Sequence, residues 1–161
     1  MYRSTLIASC FIRWALEESK PITPVMVQKL IYFAHGFYLA FITKPLIFEV
    51  IYVGKHGPII DPVYHNYKIF ENHPIVLKDQ SFSVLDEYDI SHIKSVIAHV
   101  DWVFLESIWN IFKKYSEVEL SSLGCASGSP WDITIQNNQG MISKNLPIDN
   151  ELIRNHFTEE Y

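Results

Sequence analysis

Apolar residues recur along this chain at two spacings, and the changes between them predict its elements. Leu6, Ile7, Cys10, Phe11, Trp14 and Ala15 repeat every three to four positions, one apolar stripe of a helix that ends in the polar run Glu17 to Pro21. Thr23-Pro24 is a helix start, an N-cap oxygen followed by a proline tolerated at the first helical position. The helix runs to about Ile42, with Val27, Leu30, Ile31, Ala34, Tyr38 and Phe41 on its inner face and Gly36 placed for close approach of a neighbour. Phe48 to Val53 is short and β-branched or aromatic, which predicts a strand. Gly54 to Pro58 reads as a turn, and Ile59-Ile60 as a short returning strand. Asp61-Pro62 repeats the cap-and-proline signature, before a helix with Val63, Tyr64, Tyr67 and Phe70 on one side.

Glu71 to Asp89 is polar and irregular, with one apolar patch from Pro74 to Leu77, and reads as a flap or a contact surface. From Ser91 to Tyr115 the periodicity predicts the longest helix. Its stripe is Ile93, Val96, Ile97, Val100, Val103, Phe104, Ile108, Ile111, Phe112 and Tyr115, and its length is roughly 37 Å. Ser116 with Glu119 is a capping box opening a short helix through Val118, Leu120 and Leu123. Gly124 to Ser129 is a loop, Pro130-Trp131 begins a turn or short helix, Asn137 to Gly140 is a further loop, and Asp149 to Phe157 forms a last helix. The pattern predicts a mainly α (α+β) fold: a helical bundle around one long central helix, with a small β-hairpin. One domain is expected over residues 1–161.

Composition narrows the class. At 48% hydrophobic and 19% charged residues the chain is globular. A net charge of -5 and a pI near 5.8 argue against nucleic acid as the main partner and suit a basic protein partner. Cys10 and Cys125 form no CxxC pair; Cys10 falls in an apolar stripe as a small buried hydrophobe, and a reducing cytoplasm is the expected setting. The longest apolar stretch, Leu30 to Ile42, contains His35 and is too short for a bilayer span, so no membrane is expected.

Catalytic and metal chemistry find little support. No HExxH or paired CxxC motif is present, and His92 and His99 stand two turns apart, too far for a simple ligand pair. Gly54-Lys55-His56-Gly57-Pro58 matches neither glycine-rich phosphate fingerprint. Cys125 could act as a nucleophile only with a base such as His56 or His99 beside it. No catalytic residue, metal or cofactor is therefore assigned.

Four pieces in order carry a resemblance: Gln28 to Gly36 after the Thr23-Pro24 start, Lys55 to Pro58, Asp61 to Tyr64, and Leu123 with the later Pro130-Trp131. This series resembles the Panacea domain, the SocA-like antitoxin family, over about Pro21 to Trp131. The chain departs from the family pattern twice: Gly54 stands where members carry a tryptophan, and Cys125-Ala126 where they carry a threonine-histidine pair. The resemblance implies a domain that binds and neutralises a co-encoded toxin in bacteria and prophages. It implies fold-maintaining roles for the motif positions Lys29, Leu30, Gly57, Pro58, Tyr64 and Pro130. Trp102 and Trp109, off the long stripe, are the expected partner contacts, and Trp131 is either a core or an interface anchor. Homo- and hetero-oligomers both stay open. The alternatives are a small cysteine- or histidine-dependent hydrolase and a phage-associated regulatory protein.

Overall fold

A computed structural model describes residues 1–76 and 90–159. The described elements are α1 (Ser4–Glu17), α2 (Pro24–Ile42), β1 (Tyr52–Gly54), β2 (Gly57–Ile59), α3 (Asp61–Tyr67) with a 3₁₀ turn at Lys68–Phe70, α4 (Ile90–Val96), α5 (His99–Phe112), α6 (Glu117–Gly124), α7 (Pro130–Asn137) and α8 (Asn150–Glu159). The mainly α class with a small β-hairpin is therefore correct.

The predicted starts hold where a side chain can satisfy the first turn. Thr23 Oγ1 accepts from the Met26 amide, and Ser116 and Glu119 form the reciprocal capping box. Helix α1 has no cap of its own; the Glu49 carboxylate, reaching back from the later chain, accepts from the Ser4 amide at 2.9 and 3.1 Å. Glu49 lies inside the expected Phe48–Val53 strand. That strand shortens to Tyr52–Gly54: Phe48 and Val50 are exposed, and just before them Ile47 forms an isolated parallel bridge with Tyr2.

The central helix is α2. It is buried from Val27 to Phe37 and packs against α1, α3, β2, α5, α6 and α8. By length and composition it could cross a membrane; its burial within the chain accounts for the same apolarity as core. Aromatic rings fill the layer around it. Phe33 stacks on Phe112 at 4.8 Å between centroids, and Phe157 of α8 sits edge-on to Phe37 at 4.9 Å and to Tyr32 at 5.7 Å. His35 is buried in α2. The Ile47 amide donates to its Nδ1, so its Nε2–H donates to Asn150 Oδ1 at 2.9 Å. Burial holds this imidazole below its ordinary pKa, and it stays neutral.

The expected Ser91–Tyr115 helix breaks in two. Ala98 is extended (φ -56°, ψ 141°), and its amide donates to the Tyr2 hydroxyl. Tyr2 in turn donates to Asp101 at 2.6 Å, and Tyr38 donates to the other oxygen of the same carboxylate at 2.9 Å. This junction ends one stripe and starts another. In α5 the buried residues are Leu105, Ile108, Trp109 and Phe112, while Val96, Val100, Val103 and Ile111 are 46–70% exposed. Four of the ten residues of the expected core stripe are surface. Trp109 is a further correction: it is 2% exposed and its indole N–H donates to Glu18, so it ties α5 to α1 and offers nothing to a partner.

Gly36 shows how closely α8 approaches α2. A Cβ there would lie 2.3 Å from the Phe157 ring. Helix propensity alone makes Gly36→Ala stabilising by about 0.5–1 kcal/mol; overpacking costs about 1–3 kcal/mol. Chemical denaturation should therefore show net destabilisation, with partial recovery in Gly36→Ala/Phe157→Leu. A more stable Gly36→Ala would show that the two helices are not in contact there.

Candidate functional site

The hairpin is where the motif positions meet. Its antiparallel register pairs Tyr52 with Ile59, Val53 with Pro58 and Gly54 with Gly57. On the β1 side the later chain supplies a partner edge: the Val53 amide donates to Leu146 and the Ile148 amide to Ile51, both at 2.8 Å. On the β2 side, side chains of α2 act as the missing strand. Gln28 accepts from the Ile60 amide at 2.9 Å and donates to its carbonyl at 3.1 Å. Lys29 Nζ donates to the Pro58 carbonyl at 3.1 Å. Pro58 has no amide to leave unpaired on that edge.

The remaining motif residues brace this arrangement. Gly57 adopts φ +108°, and a Cβ there would lie 2.7 Å from Lys29 Nζ and 2.9 Å from Cys125 Sγ, so only glycine fits. The end of α6 packs on Pro58 and on the Lys29 stem through Gly124. Pro130 opens α7 after the Ser129 cap, and Trp131, half-buried, donates its indole N–H to the Gly54 carbonyl at 2.9 Å. Leu30 is core. Lys29, Leu30, Gly57, Pro58 and Pro130 thus have fold-holding contacts. Tyr64 does not: it is 48% exposed, where the pattern of α3 had placed it on the inner side with Val63 and Tyr67.

Tyr64 lines a cleft of about 490 Å³ between the hairpin tip and α3, together with Lys55, His56, Lys68 and Glu71, with Lys29, Gly57 and Pro58 behind them. Burial pulls the Lys29 amine down to about 8, against the opposing influence of Cys125 and Glu117. Burial also pushes the Cys125 thiol up, despite Lys29 beside it, so it is protonated and a poor nucleophile at neutral pH. His99, one of the two bases considered for it, lines a different hollow with Lys94, Ile97 and Trp102. Among the described residues no group of three or more histidine, cysteine, aspartate or glutamate side chains could hold a metal ion.

A second surface feature is apolar. Phe37, Phe41, Phe104, Ile111, Tyr115 and Leu123 line a groove of about 570 Å³ between α2 and α5. Phe41 is 67% exposed, and the outward valines of α5 extend the same face. The periodicity had placed Phe41 and Ile111 inside. Trp102 lies elsewhere, half-buried between Trp14, at 5.0 Å between ring centroids, and the Lys94 ammonium. In the Pro74–Leu77 patch Ile75 is buried and its amide donates to Ile22, Val76 is exposed, and Leu77 lies outside the described residues, as does most of the expected flap.

The family model for the SocA-like antitoxin, Panacea domain, matches residues 27–132, which takes in α2 from Val27 onward, the hairpin, α5, α6 and the Pro130-Trp131 start of α7. The chain belongs to the SocA-like Panacea family. Antitoxin SocA of Caulobacter vibrioides (strain NA1000 / CB15N) is 26% identical over 153 residues, covering 94% of this chain and 80% of that relative. No solved structure matches. The Panacea match includes every motif residue placed above, so the edge closure by Gln28 and Lys29 lies inside the family's own region. It also includes the apolar groove in full and all of the cleft at Tyr64 except Pro24 and Val25.

The buried amine gives a pH signature. In the unfolded chain Lys29 titrates near its ordinary 10.5, and in the fold near 8. Between those values the unfolded state holds more protons, so stability contributed through this group rises with pH; below about 8 the burial cost is felt in full. Urea unfolding across that window should show wild-type stability climbing relative to Lys29→Met, with a difference approaching about one proton. Parallel curves would mean that Lys29 is not buried as described.

Proposed function

We propose that this chain neutralises a co-encoded toxin by binding it directly, in the cytoplasm, through the apolar face of α5 and the adjoining end of α2. The observation that carries this reading is the row Val100, Val103 and Ile111, continued by Phe41, which stands in solvent at the mouth of an apolar groove between α2 and α5. Large contiguous apolar patches are uncommon on monomers and mark interaction sites. Membership of an antitoxin family supplies the kind of partner. The relative in Caulobacter vibrioides carries the name antitoxin. A stable complex of this type buries about 1,200–2,000 Å² in total, with a few large side chains dominating the energy. Phe41, Phe104 and Tyr115 are the aromatic anchors available on this face.

The test is co-expression of the neighbouring toxin gene with and without this chain, followed by co-purification. The expected outcome is rescue of growth together with a co-eluting pair. Phe41→Glu/Ile111→Glu should abolish both and leave the melting temperature near the wild-type value, because exposed positions contribute within about 0.5 kcal/mol to folding. Cys125→Ala should rescue like wild type. A harmless neighbour, rescue without a complex at normal toxin levels, or a double Glu variant that still rescues would overturn the reading.

A further inference from the structure

The cleft beside the hairpin tip has a chemistry opposite to that of the chain around it. The protein carries a net charge of -5. At this place Lys55 and His56 form the exposed tip of the hairpin and Lys68 faces them across the cleft; Glu71 is the one carboxylate among the lining residues. Tyr64 stands at the same rim, with an aromatic face and a hydroxyl that the packing of α3 does not use. Neither Lys55 nor Lys68 takes part in the ion pairs of the described residues, which join Lys113 to Glu18 and Arg154 to Glu151. The hairpin behind the cleft is clamped by Gln28, Lys29 and Trp131, so Lys55 sits on a braced turn, while Lys68 is presented by the 3₁₀ turn after α3.

We infer that this cleft is a second recognition site on the same protein, and that its occupant is an acidic segment of the partner that the apolar face binds. The inference rests on the toxin-binding reading. Charge complementarity argues for the occupant: Lys55 and Lys68 flank a cleft whose floor is largely apolar, with Pro24, Val25 and Ile59, and in an acidic protein such flanking cations favour carboxylates there over the surrounding surface. A cleft of about 490 Å³ holds a few side chains rather than a whole domain face. An extended nucleic acid fits less well, because the phosphates beyond so short a cleft would meet the net negative surface. Within the complex, the apolar face supplies most of the buried area and the cleft fixes orientation and speeds encounter.

The experiment uses the full chain co-expressed with the neighbouring toxin, and poly-L-glutamate as a soluble probe. Lys55→Glu/Lys68→Glu and, separately, Tyr64→Ala change only exposed side chains, and melting curves verify that each folds. Expected are association with the toxin about tenfold slower for the charge-reversed variant at low salt, a weaker salt dependence than wild type, and displacement of the toxin by poly-L-glutamate from wild type but not from the variant. Wild-type rates in the folded charge-reversed variant would overturn the inference while leaving the toxin-binding reading intact. So would a duplex oligonucleotide of equal charge that competes better than poly-L-glutamate, which would mark a nucleic-acid site. If the wild-type chain binds no neighbouring toxin, the broader reading fails. Poly-L-glutamate titrated into the free proteins then decides for the cleft alone: saturable binding to wild type and not to the variant supports an acidic ligand, and equal or absent binding overturns it.

Discussion

The closure of one strand edge by two side chains of a helix is the constraint on which the rest of this molecule depends. A two-stranded hairpin is marginal by itself, and its outer edge exposes backbone groups that must be paired or blunted. Here Gln28 takes both polar groups of Ile60, Lys29 takes the Pro58 carbonyl, and proline removes the remaining donor. This locks the hairpin to the central helix and fixes where α3 begins. It also explains why a lysine is buried in an apolar helix. Its stem is packed under Gly124, its ammonium is hydrogen-bonded, and the backbone at Gly57 passes too close to admit any side chain.

Much of this was legible beforehand because it is local. Caps, prolines and helical spacing located α1, α2, the capping box of α6 and the Pro130 start of α7 within a few residues. The order of motif pieces identified the family. What escaped the sequence was set by contacts between distant segments. The interruption at Ala98 depends on Tyr2, which lies at the other end of the chain and bonds both the Ala98 amide and Asp101. Nothing near Ala98 in sequence announces it. Once the helix is broken, two apolar stripes compete for the core, and spacing alone cannot say that Leu105 and Trp109 go in while Val100 and Val103 stay out.

The site residues divide along the same line. Lys29, Gly57 and Pro58 were recognisable as motif positions, yet their shared task, closing an edge, emerges only when the helix and hairpin are side by side. Tyr64 was assigned to the core because its neighbours Val63 and Tyr67 belong there; it is exposed because α3 is short and presents only a narrow inner face. Trp109 was a reasonable surface candidate by position, but Glu18 at the end of α1 accepts its indole N–H and draws it inside. Indole and carboxylate are 91 positions apart in the chain.

The outward face of α5 has one further consequence. Val100, Val103 and Ile111 carry little of the folding energy, since they bury little surface in the chain itself. The residues that hold α5 in place are Leu105, Ile108, Trp109 and Phe112; Leu105 and Trp109 lie away from the groove, while Ile108 and Phe112 form its floor beside Ile111. The exposed apolar side chains of this helix are thus distinct from the ones that anchor it, even where the two sets adjoin. Substitutions on the outer side can reshape what this surface matches without eroding the core, so a single scaffold of this kind can change allegiance in small steps, each of them stable enough to persist.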